Sequence, residues 1–133
     1  MCEAMPNKSK AILKAHSDFY TSFVSGDYSS MESVWARENP VLVTHPWGPA
    51  IAGRVNVMKS WEQILLNPPK IRCTDEKVEL IGEFAIVTCI ERASEGALAA
   101  TNILVEENGS WVFCHHHAGP LAPVFSSPPS SLH

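Results

Sequence analysis

The stretch "NILVEENGSWVFCHHHAGP", Asn102 to Pro120, decides how the chain is read. Apolar and polar residues alternate on either side of Asn108-Gly109, and a two-residue type I′ turn needs positive φ at both central positions, which this dipeptide tolerates. The segment reads as a β-hairpin, and its turn sets a register. With Glu107 opposite Ser110, Glu106 falls opposite Trp111, Leu104 opposite Phe113, Asn102 opposite His115 and Ala100 opposite His117, each pair on one side of the sheet. Val105, Ile103, Thr101, Val112, Cys114 and His116 take the other side. The three histidines are too few for a purification tag and continue a strand pattern.

One hairpin earlier, Glu95-Gly96 marks another turn. A two-residue loop there sets Cys89 beside Asn102 and Glu91 beside Ala100, so that Glu91, Asn102, His115 and His117 cluster; a loop one residue longer turns Glu91 to the opposite face. Together, strands around Ile71 to Ile81, Phe84 to Ala93, Leu98 to Glu106 and Trp111 to His117 form an antiparallel meander. Upstream, Ile12, His16, Phe19, Tyr20 and Phe23 share one stripe of a helix from Ser9 to Val24 that Gly26 closes. Asp27 caps a short second helix carrying Met31, Val34 and Trp35. A β-branched run ends as a strand at His45, and a third helix runs from Arg54 to Leu66 with Val57, Trp61, Ile64 and Leu65 on one face, stopped by Asn67-Pro68-Pro69. The fold class is α+β, helices ahead of one sheet.

The 133 residues suit one domain, placed at 8–120, with a Pro/Ser-rich tail at 121–133 expected to be mobile beyond Val124. At 45% hydrophobic and 18% charged the composition is globular, and no apolar run reaches the roughly 18 residues of a membrane span. A net charge of -4 without a basic block argues against nucleic acid as a partner. Cys2, Cys73, Cys89 and Cys114 form no C-x-x-C pair, which argues for reduced thiols, and the N-terminus lacks the apolar run of a secretory signal; the expected address is cytoplasmic.

The order of elements, with "LVTHPWGPAIAGR", "SWEQIL", "ATNIL" and "GSWVFCHHHAGP", resembles the SnoaL-like branch of the nuclear transport factor 2-like superfamily over about Lys10 to Pro120. That resemblance implies a cone: about three helices packed on the concave face of a curved, mainly antiparallel sheet, one pocket, and a homodimer formed through the sheet. Its members include polyketide cyclases, ketosteroid isomerase, scytalone dehydratase and limonene epoxide hydrolase. They also include a non-enzymatic kinase association domain whose final strand carries a His-x-His like His115 and His117, followed by Gly and Pro. Fold alone therefore leaves the chemistry open.

On face content, Trp111, Phe113, Leu104, Asn102, His115 and His117 belong to the concave, pocket side, and Val105, Ile103, Val112 and Cys114, with Thr101 and His116, to the dimer side. The expected ligand is a small, largely apolar molecule. Glu91, His115 and His117 are the candidate catalytic groups, since a carboxyl in an apolar cone titrates near neutrality and an imidazole does so untuned. Candidate ligand contacts are His45 and Trp47 at the rim, Trp61 on the third helix, Asn102 as an orienting group and Tyr20 as a hydrogen-bond donor. His16 reads as a core histidine, and Cys89 as the one thiol facing the pocket with nothing nearby to activate it. No cofactor and no membrane partner is expected. Three functions stay open: proton transfer, cyclisation, dehydration or hydrolysis in the pocket; a non-catalytic dimerisation module; and a hydrolase with a metal on His45, His115 and His117.

Overall fold

Helix α1, Met5–Ser25, exists because its apolar stripe has somewhere to go: Ile12, His16, Phe19, Tyr20 and Phe23 are all buried along one face. It ends in a Schellman motif, with Asp27 N–H donating to Ser22 O at 3.1 Å and Gly26 N–H to Phe23 O at 3.3 Å. Gly26 sits at φ +68°, and a Cβ there would lie 3.1 Å from Leu65 O, so both backbone and space demand glycine. Asp27 caps α2, Tyr28–Ser33, by accepting from Ser30 N–H. The short strands β1, Leu42–Thr44, and β2, Ala50–Ala52, precede α3, Arg54–Ile64. β2 lies in the Gly/Pro-rich connection and was not expected from the sequence. The Arg54 guanidinium donates to the carbonyls of Glu32, Trp35 and Ala36, tying the start of α3 to the end of α2.

The computed structural model describes residues 5–122, so the expected mobile tail beyond Val124 lies outside the described residues. After α3 come four long strands, β3 (Arg72–Ile81), β4 (Phe84–Ala93), β5 (Gly96–Glu107) and β6 (Ser110–Pro120), as the meander pattern requires. The six-stranded sheet runs β2-β1-β6-β5-β4-β3, antiparallel except where β1 lies parallel to β6. It is curved and unclosed, with the helices on its concave side. Phe19 stacks on Phe113 at 4.3 Å between centroids, and Trp61 meets Phe19 edge-on at 5.4 Å; all three are fully buried and fill the base of the cone.

Two irregularities re-aim the side chains that matter. In β6 the ladder passes from Leu104 opposite Phe113 to Ile103 opposite His115, leaving Cys114 as the extra residue of a bulge. There β6 changes neighbours. Phe113 exchanges backbone hydrogen bonds with Val34 and Ala36, whereas His115 to His117 pair with Leu42 to Thr44 of β1. The expected register holds up to Phe113 and then slips by one residue: Asn102 faces His116, not His115, and Ala100 faces Ala118, not His117. In β3 a second bulge between Thr74 and Lys77 puts Asp75 at φ 58°, where Arg92 holds its carboxylate at 2.9 Å and the Thr74 hydroxyl at 2.8 Å.

Candidate functional site

The β6 bulge replaces the pair of inward histidines read from the sequence with a single one. His116 is 1% exposed and points into the cone, while His115 and His117 stand on the outer face and do not reach Glu91. Strand alternation without the bulge would have given the opposite result. Glu91 does face inward, 2% exposed, with Asn102 fully buried on the neighbouring strand. The turn between β4 and β5 sits at Ser94-Glu95 rather than Glu95-Gly96, which sets Cys89 beside Ala100 and Glu91 beside Leu98. That shift of two residues preserves the face of every side chain.

Asn102 is the centre of a buried polar network. Its amide nitrogen donates to His16 Nε2 at 2.9 Å and, at 3.3 Å, to the Tyr20 hydroxyl; its carbonyl oxygen accepts from His116 Nδ1 at 2.6 Å. These contacts assign both tautomers. His16 carries its proton on Nδ1 and donates it to Glu76 Oε2 at 2.6 Å, whereas His116 leaves Nε2 unprotonated, 3.9 Å from Glu91 Oε2. The Tyr20 hydroxyl donates to Glu91 Oε2 at 2.6 Å and lies 3.3 Å from Cys89 Sγ. The spacing of His16 and Tyr20, one helical turn apart on the buried stripe, brings both to one strand pair.

The protonation states follow from burial. Desolvation pushes the Glu91 carboxyl up to about 7, outweighing the Tyr20 hydrogen bond, which pulls it down. Burial first, then the facing Glu91 charge, raises the Tyr20 phenol. His116 is held well below the usual imidazole value by burial, with the charges of His45, His115, His16 and His117 adding to the effect. A hydrogen bond from Cys73 draws the Cys89 thiol below its ordinary value, a neighbour the sequence reading lacked.

A cavity of about 200 Å³ opens between α1 and β3, walled by Tyr20, Thr21, Val24, Ile71, Cys73 and Glu76. Tyr20 is the residue that joins this cavity to Glu91. His45 lies edge-on to Trp61 at 4.8 Å and donates from Nε2 to the Ser60 hydroxyl at 2.9 Å, and burial lowers its pKa to about 4. Trp61 is fully buried core, and Trp47, at φ 69°, is 90% exposed on the β1–β2 turn. His45, His115 and His117 do not converge. Sequence reasoning gave no site role to His16, Cys73, Glu76 or His116; it read His16 as a core histidine on the stripe with Tyr20, and the two bulges hid Cys73 and His116.

The sequence model of a family described as a SnoaL-like domain matches residues 12–123. A nuclear transport factor 2-like family protein from Streptomyces avermitilis, named as a candidate dehydratase, superposes with a TM-score of 0.81 at 23% identity, covering 90% of this chain and 100% of that one. A candidate calcium/calmodulin-dependent protein kinase type II association domain from Thiobacillus denitrificans gives 0.69 at 26% identity, over 81% and 93%. A protein of unknown function with the same fold from Pseudomonas putida gives 0.75 at 15%, over 96% and 100%. No curated protein matches the chain.

Proposed function

The chain belongs to the SnoaL-like domain family, and from that premise we propose that it binds a small molecule beside α1 and exchanges protons with it through Tyr20 and Glu91. The carrying observation is the 2.6 Å bond from Tyr20, on the cavity wall, to a carboxyl sealed from solvent that pairs with no Lys or Arg side chain among the described residues. When Glu91 is ionised, Tyr20 takes a proton from the ligand as it passes its own to the carboxylate; when Glu91 is protonated, the same pair delivers a proton to a departing oxygen. His116 Nε2 faces the carboxyl as a neutral acceptor, and Asn102 holds that tautomer. Enolisation of a small carbonyl compound, or loss of water from its β-hydroxy form, fits this chemistry and needs no cofactor in the proton path. The cavity is smaller than the roughly 300–1,000 Å³ of drug-sized sites, which favours a compact ligand.

The test is solvent-deuterium incorporation into a panel of small ketones and β-hydroxy ketones, followed by NMR. Exchange above buffer with the wild type, and its loss in Glu91→Gln, is the expected result. No exchange, or equal exchange by the variant, would favour the non-catalytic module, for which the closed set of hydrogen bonds around Asn102 is the supporting observation.

We propose that the partner is a second copy. The outer face carries an apolar groove of about 500 Å³ along Leu42, Ile81, Phe84, Ile86 and Ile103, with Ile81 58% and Phe84 46% exposed. Phe84→Glu, buried against a second copy, is expected to weaken dimerisation at least tenfold by light scattering. An unchanged dimer, or a wild-type monomer, contradicts this.

A further inference from the structure

The β3 bulge brings Cys73 onto the inward face that Glu76 already shares with Val78 and Leu80, and Glu76 meets there two groups that the proton path through Tyr20 does not use. His16 Nδ1, Cys73 Sγ and a Glu76 carboxylate oxygen all lie within 4.8 Å of one another. They come from separate elements, α1 and both sides of the bulge in β3, and Cys73 and Glu76 border the 200 Å³ cavity. Chain neighbours on a solvated surface do not produce such a convergence.

We propose that His16, Cys73 and Glu76 form a binding site for a zinc-class divalent cation, with the fourth position open to the cavity. The donor set is one imidazole, one carboxylate and one thiolate, Cys73 giving up its proton to solvent and its bond to Cys89 as the ion binds, and this mix selects a borderline-soft ion over magnesium or calcium. Tetrahedral zinc, with bonds of about 2.0–2.3 Å, needs donor separations of about 3.3–3.8 Å. The His16–Glu76 contact at 2.6 Å must therefore open, and the widest separation, up to 4.8 Å, must close by about 1 Å. The half-exposed Glu76 and Cys73 side chains at the cavity mouth can make both movements, while fully buried His16 stays in place.

The interior supplies an outer shell for that ion. Cation binding at His16 Nδ1 moves the imidazole proton to Nε2, where Asn102 now presents a donor. Rotation of the Asn102 amide by a half-turn makes its oxygen the acceptor for His16 and its nitrogen the donor to His116 Nδ1, so that His116 carries its proton on Nε2, toward Glu91. The bonds to both histidines are remade with reversed polarity, and only the long 3.3 Å contact to Tyr20 is lost. A metal-bound histidine whose second nitrogen is oriented by a buried amide has the outer support such ligands require. The site does not require the Glu91 proton path, but filling it reverses the His116 tautomer that faces Glu91.

The experiment is titration of the reduced, untagged protein with cobalt(II), read by its thiolate-to-cobalt absorption, with zinc as competitor. Near-stoichiometric binding is expected, displaced by zinc, with the thiolate band absent in Cys73→Ser, affinity reduced at least tenfold in Glu76→Gln, and both unchanged in Cys114→Ser. Thermal melts establish that the variants fold, and histidine 15N shifts should report the proton of His16 moving to Nε2 on zinc addition. A wild type without the thiolate band overturns the site. So does a band that survives Cys73→Ser, or binding that instead disappears in the His115→Ala/His117→Ala double variant. Deuterium exchange through Glu91 would stand under any of these results.

Discussion

Glu91→Gln is expected to slow ligand proton exchange by about 10²–10⁴-fold, the usual contribution of a positioned general acid or base, while making the protein more stable at alkaline pH. The two effects share one cause. A carboxyl raised to about 7 in the folded chain, from 4.5, binds more protons folded than unfolded across that window. Its burial therefore costs nothing well below pH 4.5, and the cost grows as pH rises through the window and levels off above about 7. Glutamine keeps an acceptor for the Tyr20 hydroxyl and never ionises. The stability of the variant relative to wild type should grow by about 2–3 kcal/mol between pH 5 and pH 8. His45 and His116, whose lowered pKa values make both proteins less stable as pH falls below about 6.5, cancel in the comparison. Urea titrations at the two pH values measure it. A pH-independent difference would mean that Glu91 is ionised or neutral throughout, and an acid–base role at neutrality would go with it.

Asn102→Ala is expected to cost about 3–5 kcal/mol, a large share of the ~5–15 kcal/mol that holds a domain of this size together. The side chain is fully buried, and its loss strands His16 Nε2 and the His116 Nδ1 donor at once, each an unsatisfied polar group worth about 1–3 kcal/mol. Tm should fall by roughly 10–15 °C. In a double-mutant cycle with His116→Ala, the second substitution should cost less once the first is present, because part of its partner is already gone. A loss under about 1 kcal/mol, or strict additivity, would show that the hydrogen bonds around Asn102 are dispensable.

The hairpin turn at Asn108-Gly109, the Gly26 stop, the Asp27 cap and the limits of β4 were legible because each rests on local chemistry: positive φ, capping geometry, alternation. The face of Glu91 hung on the length of the loop before β5, and it is inward because the actual turn differs from the expected one by two residues, which leaves parity intact. His116 was not legible. Nothing local to "FCHHH" marks Cys114 as a bulge; it arises because β6 hydrogen-bonds the segment after α2 on one side of that residue and β1 on the other, a tertiary demand. The same holds for Cys73, turned inward by a bulge at a non-glycine residue of positive φ. β2, three residues between Gly and Pro, is too short for any period to show.

The carboxyl titration of Glu91 tests the central claim most directly. In protein labelled with 13C at glutamate Cδ, with Glu91→Gln to assign the signal, one carboxyl should titrate with a midpoint near 7, apart from the rest. A Glu91 midpoint near 4.5 would contradict a sealed carboxyl poised for proton exchange, and the site would be left as a structural network.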